Sequence, residues 1–189
     1  MIGAMIGTDP RDELVTHLPA LRAFAISLAR NQHTADDLVQ DTILRAWSNF
    51  ASFVPGTNLR AWLFTILRNG FYSDLRKRRR DVQDSDGIYA ASLTQKPDHD
   101  GHLAMRDFQR GFDKLIDEQR EALVLVGALG FSYEEAAATI GCAVGTVKSR
   151  VNRGRVRLAE YLHLEDGDSI LPVDAIQSAA SNTRNSLHG

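Results

Sequence analysis

Apolar residues recur with helical spacing near the start of the chain. One set falls at positions i, i+4, i+7, i+11 and i+14, which places its members on a single face of a helix. The set comprises Leu14, Leu18, Leu21, Ala25 and Leu28. The chain is therefore predicted to begin with an amphipathic helix.

Two further helices are predicted before residue 80. Thr34 is a candidate cap for the second helix, which has two acids in its first turn and fades near Phe50. A loop with a Pro-Gly pair at 55–56 follows, because these residues favour turns. The third helix is predicted from Leu59 to about Arg78, is crowded with apolar residues and ends in a basic run.

The chain changes character after residue 80. Asp, Ser, Gly, Gln, Pro and His dominate there without a sustained helical period, as in a linker. Helical periodicity then returns, and a Leu/Val-rich helix is predicted from Glu118 to Leu129, ending at Gly130. We expect an all-α protein of two small helical domains joined by a flexible linker, with a domain at 11–80, the linker at 81–103, a domain at 104–164 and a polar tail at 165–189.

The segment from Gly130 to Arg150 has the pattern of a helix-turn-helix. Ser132 and Glu135 form an S-x-x-E capping box, which starts a short helix sharply. Gly141 ends that helix and permits a tight turn, and a longer helix begins near 145–146. The C-terminal domain is therefore predicted to be a helix-turn-helix domain.

The longer helix is predicted to have two unlike faces. At 100° per residue one face is small and apolar, formed by Val147, Val151, Gly154 and Leu158. The other face carries Lys148, Ser149, Asn152 and Arg153. Arg and Lys can read guanine edges, Asn can read adenine and Ser can hold a phosphate, so this face suits a DNA major groove. The alternative is a basic, solvated helix in an ordinary bundle.

Charge is strongly segregated although the formal net charge is only −2. Eight basic residues and one acid lie between Arg45 and Arg80, and five basic residues and no acid lie between Cys142 and Leu158. Acids gather instead at 81–100 and 165–174. Two basic regions in one chain indicate two contacts with one polyanion, although a single charge run can also be a solvated face.

Composition limits the cellular context and the chemistry. No stretch approaches the ~20 apolar residues of a membrane-spanning helix, and no signal peptide is recognisable. The one cysteine, Cys142, cannot form an internal disulfide, which fits the cytoplasm. His99 and His102 lack cysteine partners, so we expect no metal site and no cofactor.

Three segments resemble the extracytoplasmic-function sigma factors. Residues 132–151, containing Ser132–Ala137 and Val144–Val151, look like their promoter −35 helix-turn-helix. Residues 35–47 look like their polymerase-binding helix, and residues 55–69 look like their −10 element region. The resemblance covers residues 11–164 and is nearest to the EcfG type, the general stress response factor of alphaproteobacteria.

The resemblance implies roles for individual residues. Contact with the −35 element falls to Thr146, Lys148, Ser149, Arg150, Asn152 and Arg153. Contact with the −10 element falls to Phe53, Asn58, Arg60, Asn69, Arg76, Lys77, Arg78 and Arg79, where the loop would form a pocket for a flipped base. A buried anchor is the alternative role for Phe53. Contact with core polymerase falls to Asp37, Leu38, Gln40, Asp41 and Trp47, with Leu38 and Trp47 as packing residues and Asp41 also able to pair with Arg45.

The resemblance also implies partners. These are core RNA polymerase, through its β′ coiled coil and β flap, promoter DNA, and an anti-sigma factor of the NepR type. We expect a chain that is a monomer when free, contacts no membrane, and joins the nucleoid when bound to polymerase.

Three other classes of protein are alternatives. A sigma-like decoy, as in PhyR, binds an anti-sigma factor without DNA, but it should lack the basic outer face. An ordinary repressor leaves the N-terminal half unexplained. An enzyme is disfavoured because the paired carboxylates Asp37 and Asp41 have neither a nucleophile nor a metal cluster beside them.

Overall fold

The computed structural model describes residues 12–84 and 103–163, and within these ranges it contains helices and turns but no strand. The all-α prediction is confirmed. The α-helices of the described ranges are α1 Leu18–Ala29, α2 Gln32–Ser48, α3 Leu59–Asp84, α4 Leu103–Asp113, α5 Asp117–Leu123, α6 Tyr133–Ile140 and α7 Val144–Leu162. The pair His99 and His102 and the tail after residue 164 lie outside the described residues. None of these helices is both long and apolar enough to cross a bilayer.

The N-terminal helices differ from the prediction at their ends. The first stripe begins as a 3₁₀ turn, Asp12–His17, and α1 starts only at Leu18, with Pro19 in its first turn, where the missing N–H costs no helical hydrogen bond. The cap of α2 is Asn31 rather than Thr34, since the Asn31 side chain accepts the Thr34 backbone N–H at 3.0 Å. Helix α3 continues past Arg78 to Asp84, so part of the expected linker is helical.

Helices α1, α2 and α3 pack together as one unit. Phe24 of α1 and Phe64 of α3 meet at its centre with ring centroids 5.2 Å apart, and both are fully buried. Arg22 ties α1 to α2 through Asp36 at 2.7 Å, and this pair holds the pKa of the Asp36 carboxyl below its usual range. The core therefore fixes which face of α2 and α3 is turned outward.

The helix-turn-helix is present as predicted. Ser132 and Glu135 exchange both hydrogen bonds of the capping box, and Gly141 ends α6 with a φ of 75°. Gly154 lies against α5, where an added Cβ would be 2.7 Å from Leu123 Cδ1. Only a glycine allows α7 to approach α5 this closely without displacing a buried leucine.

The helix before the motif ends irregularly. Helix α5 continues into a π-helical turn, Val124–Ala128, in which the Leu129 N–H donates to the Val124 carbonyl. Gly130 then reverses the chain with a φ of 69°. This turn brings Phe131 against Phe64 of α3, with ring centroids 5.0 Å apart. The two helical units are thus in direct contact, α6 against α3 and α5 against α1.

Candidate nucleic-acid interface

Helix α7 presents a polar face to solvent. Val147, Val151 and Leu158 are buried against the domain, which confirms the predicted apolar face. Lys148, Asn152 and Arg153 are exposed on the opposite side, and Ser149 is half-buried beside them. The side chains that can read base edges therefore lie together near the helix N-terminus, where a recognition helix contacts DNA.

Two of these cations are held by neighbouring side chains. Arg153 Nη2 donates to Ser149 Oγ at 2.6 Å, and its Nε donates to the Ser149 carbonyl. The Lys148 ammonium lies 5.6 Å from the Tyr133 ring centroid. Ser149 therefore orients a guanidinium here, a role that the expected phosphate contact did not include. Both cations are oriented before any DNA binds.

The side chains of Thr146 and Arg150 are less exposed to solvent than expected for residues that contact the −35 element. Both are half-buried. Arg150 Nη1 lies 4.0 Å from Cys142 Sγ. Burial raises the pKa of the Glu121 carboxyl, and the charge of Arg150 opposes part of that rise. Arg150 is therefore directed toward the side of the helix that faces α5, away from the face that carries Asn152.

Phe53 does not occupy the position expected for a base-stacking residue. It is 7% exposed and packs between Phe50 and Trp62, with ring centroids 5.6 and 5.3 Å away. Burial in this aromatic cluster removes its faces from solvent, so the expectation of a stacking role is corrected in favour of a core anchor. Val54, which is 62% exposed, lies outside the cluster instead.

Asn58 and Arg60 are engaged by the C-terminal half. The Asn58 side chain caps α3 by accepting the Ala61 N–H at 3.0 Å, and its Nδ2 donates to Glu135 Oε1 at 2.6 Å. The Arg60 guanidinium donates to the Leu129 carbonyl and lies 4.3 Å from the Phe131 ring centroid. Burial lowers the pKa of Arg60, although the guanidinium remains charged.

The remaining residues expected at the −10 element follow α3 toward its C-terminus. All of them are exposed: Asn69, Arg76, Lys77, Arg78 and Arg79. A run of exposed cations on one helix can follow a phosphate backbone with little sequence preference. This part of α3 is separated by several turns from Asn58 and Arg60 at its start.

A shallow cleft of about 220 Å³ lies between α2 and α3. Asp37 and Asp41 line it from α2, and Asp74 and Arg78 line it from α3. Asp41 also pairs with Arg45 at 3.8 Å, as expected from their spacing. Leu38 is 7% exposed, so it packs within the core and forms only part of the cleft lining, whereas Gln40 is exposed beside the acids.

An exposed apolar strip adjoins these acids. Trp47 was expected to pack, but it is 55% exposed, and Leu44 one turn earlier is 65% exposed. The sequence analysis gave Leu44 no role, because the apolar residues of this helix were considered only as buried positions. The available signal was that Leu44 lies one turn after Gln40 and one turn before Trp47, two residues expected at the polymerase contact. Acids, Leu44 and Trp47 together form a mixed surface suited to a protein partner.

Two family models match consecutive parts of the chain. Residues 14–81 match sigma-70 region 2, and residues 105–158 match sigma-70 region 4. The first match contains α1, α2 and most of α3, and the second contains α5, α6 and most of α4 and α7. Both candidate DNA-contacting surfaces therefore lie within matched segments.

Known sequences agree with these matches. The chain is 56% identical over 168 residues to the ECF RNA polymerase sigma factor EcfG of Rhodopseudomonas palustris, covering 89% of the chain and 93% of that protein. It is 38% identical to the ECF RNA polymerase sigma factor SigE of Mycolicibacterium smegmatis, covering 80% of the chain and 61% of that protein.

Solved structures separate the sigma factor from the decoy interpretation. The sigma factor RpoE in complex with the anti-sigma factor NepR from Bartonella quintana matches with 55% identity and a TM-score of 0.74, over 83% of this chain and 98% of that one. The PhyR–NepR complex from Sphingomonas sp. Fr1 matches with 20% identity and a TM-score of 0.62, over 86% and 96%. The second likeness extends to the fold alone, so the similarity favours a sigma factor.

Proposed function

Because the chain belongs to the extracytoplasmic-function sigma factors of the sigma-70 family, we propose that it binds core RNA polymerase and directs it to promoters of a general stress response. The outward face of α7 carries this proposal, because a buried apolar side and an exposed basic side are what insertion into a major groove requires. The chain acts by binding and has no catalytic role of its own.

Helix α7 reads the −35 element as duplex DNA. Lys148 and Arg153 are suited to guanine edges and Asn152 to adenine, and Ser149 orients Arg153. Thr146 and Arg150 lie at the margin of this surface, where contacts to phosphates rather than to bases are expected. The specificity of the C-terminal domain then rests on three exposed side chains.

The N-terminal domain captures the opened −10 strand. Asn58, Arg60 and Asn69 supply polar contacts to bases, while the cations of α3 follow the strand backbone. Phe53 supports the loop from within the aromatic cluster rather than stacking on a base. The cations that follow the backbone are Arg76, Lys77, Arg78 and Arg79.

Docking on core polymerase uses the acidic face of α2. Asp37, Gln40 and Asp41 meet the β′ coiled coil, and the exposed Leu44 and Trp47 extend that surface with apolar contacts. Leu38 supports it from the core. The C-terminal domain contacts the β flap, which holds the two domains at the spacing of the promoter elements.

Regulation by an anti-sigma factor of the NepR type follows from the likeness to the RpoE–NepR complex. The free chain is a monomer, works in the cytoplasm and joins the nucleoid once it is part of holoenzyme. The domains of this proposal are 11–80 and 104–164, although α3 extends to Asp84 and α4 begins at Leu103.

Reconstituted transcription tests the proposal. The chain is combined with core polymerase on a promoter with a GGAA-type −35 element, and initiation is measured beside core polymerase alone. We expect initiation only when both are present, and loss of it when Asp37 and Asp41 are replaced together by alanine. Absence of initiation with a folded chain that binds NepR would favour the decoy interpretation.

A further inference from the structure

The outer face of α7 carries positive charge that no described acid balances. The helix contains five cations and one acid, Glu160. Within the described ranges, no ion pair forms at the cations that reach the outer face, which are Lys148, Arg153, Arg155 and Arg157. Arginines on other helices do find acids, as Arg22 finds Asp36 at 2.7 Å. The charge of α7 is therefore available to a negatively charged partner.

The same face has an apolar residue at its centre. Val156 is 51% exposed. At 100° per residue it projects between Asn152, one turn before it, and Glu160, one turn after it. Arg153 and Arg157 lie beside it on the same surface of the helix. A partner that carries acidic and apolar side chains together would match both features of this face.

A segment of this composition follows α7 in the same chain. Residues 165–174 contain no Lys or Arg and four acids, namely Glu165, Asp166, Asp168 and Asp174. The same ten residues include Ile170, Leu171 and Val173. Neither promoter recognition nor polymerase docking gives this segment a role. Its charge and its apolar residues complement the outer face of α7.

The point of attachment places this segment within reach of the basic face. Helix α7 ends at Leu162, and His163 has a left-handed φ of 53°, so the helix does not continue. At 1.5 Å per residue, Arg157 lies about 9 Å and Arg153 about 15 Å before His163 along the helix. An extended chain spans about 3.5 Å per residue. About three residues therefore suffice to return to Arg157 and about five to Arg153, and these positions are occupied by Asp166 and Asp168.

The exposed cations of α3 are the other possible site for these acids. They lie at 76–80, in the other helical unit of the molecule. A short tether raises the effective concentration of a segment at sites close to its attachment, and this concentration falls as the span increases. Residues 165–174 are attached directly to the end of α7, so proximity favours α7. Glu160 repels the acids from one side of Val156, which directs them toward Arg153 and Arg157.

We propose that residues 165–174 bind the outer face of α7 in the free chain and stand in for the phosphates of DNA. Their carboxylates accept hydrogen bonds from Arg153 and Arg157, and an apolar side chain of the segment covers Val156. The docking is a property of the free chain, whereas its consequence for −35 binding rests on the proposed function. It acts within the C-terminal half and does not depend on how the two helical units are arranged.

Paramagnetic relaxation on the full chain tests the docking without DNA or polymerase. A nitroxide on S169C, in a C142A background, broadens the amide resonances that lie close to the segment. We expect broadening at 150–158 of α7, and loss of most of it in E165Q/D166N/D168N/D174N. This variant keeps the same attachment without the acids, so it accounts for broadening that the tether alone would cause. Its substitutions lie outside the helices of the fold.

Further variants identify the surface that is bound. R153Q/R157Q should lose the broadening, and R76Q/R78Q on α3 should keep it. Equal broadening with the acidic and the neutral segment would overturn the docking, as would broadening centred on 76–80. In a mixture of spin-labelled chains and separate isotope-labelled chains, the α7 amides should stay sharp. Broadening in the mixture would assign the contact to a second copy and overturn docking within one chain.

Binding of a −35 duplex tests the consequence. D166N/D168N and E13Q/E118Q each raise the net charge by two, and Glu13 and Glu118 are exposed residues away from α7. If docking occupies about nine chains in ten, its complete loss should tighten binding about tenfold, and D166N/D168N should gain about two- to threefold. E13Q/E118Q should change the affinity little. Equal gains by both pairs would overturn the masking of α7, while no binding by any variant would overturn the proposed −35 function and leave the docking standing.

Discussion

The two basic regions of the chain, on α3 and on α7, use the same residue types in different ways. On α7 the exposed cations Lys148 and Arg153 share one face and are held by Tyr133 and Ser149. On α3 the cations are divided. Arg60 and Arg68 are bound by the C-terminal half, whereas those beyond residue 75 are exposed.

The difference shows that charge in a sequence does not by itself define a DNA surface. A helix-turn-helix fixes the orientation of its second helix within one domain. The polar face of that helix therefore stays exposed to solvent in any arrangement of the two domains. The face of a long helix such as α3 is shared between a neighbouring domain and solvent. The function of α3 then depends on how the domains are arranged. The outer face of α7 is therefore a constant surface, and the outer face of α3 is a conditional one.

The largest expected effect concerns Phe64, which joins the N-terminal core to the C-terminal half through Phe24 and Phe131. F64A should lower the free energy of unfolding by about 3–5 kcal/mol, because a large buried ring leaves a cavity. Urea denaturation measures the loss. L158A, within the C-terminal core, is the comparison.

The same pair of variants tests whether the halves are coupled. Hydrogen exchange of α6 amides should increase in F64A, since the Phe131 contact is lost, while L158A should leave α1 unaffected. Unchanged exchange in α6 of F64A would indicate that the contact between the halves contributes nothing to the stability of the C-terminal domain.

The next effect concerns base reading by α7. R153A should weaken binding to a −35 duplex by about 1–3 kcal/mol and reduce discrimination at one base pair, because a bidentate contact is lost. Fluorescence anisotropy on matched and mismatched duplexes measures both. R157A, an exposed arginine one turn further from the helix N-terminus, should cost less and leave discrimination intact. Equal losses would show that Arg153 contributes charge alone.

Much of the fold followed from local signals in the sequence. The capping box, the left-handed Gly141 and the apolar face of α7 all act within one or two turns, so the helix-turn-helix could be predicted. The predictions for the N-terminal cap of α2 and for the C-terminal end of α3 were wrong. Asn31 outcompeted Thr34 as a cap, and the basic run of α3 did not end the helix, because charged residues with good helix propensity can extend it into solvent.

The candidate site was less predictable wherever distant segments meet. Phe53 is buried because Phe50 and Trp62 surround it, and Trp62 comes from the following helix. Arg60 contacts Leu129 across 69 positions of the sequence. No periodicity encodes such contacts. The roles given to individual DNA-contacting residues therefore stay predictions, and the experiments on α3 and α7 decide them.

A smaller effect is expected for the exposed end of α3. R76Q should reduce the slope of log affinity against log salt by about 0.7 on a −10 single strand, because one phosphate contact is lost. Titrations at several salt concentrations measure the slope. R106Q, at an exposed position of α4, should leave it unchanged. An unaltered slope in R76Q would place Arg76 away from the strand.

The smallest effect concerns Glu135 of α6, which joins the helix-turn-helix to the start of α3 because it accepts a hydrogen bond from Asn58. The Ser132 N–H holds the pKa of its carboxyl below the usual range. Its contribution to stability is therefore complete above the unfolded value of about 4.3 and is lost as pH falls through the folded value. E135Q keeps a capping-box side chain, so it should cost under about 1 kcal/mol at pH 7 and nothing near pH 3. Urea denaturation at both pH values measures this. The control is E134Q, which replaces an exposed acid in the same helical turn and should change the pH dependence of stability less than E135Q does. An equal change in both variants would mean that the helix dipole, and not the capping box, causes the pH dependence.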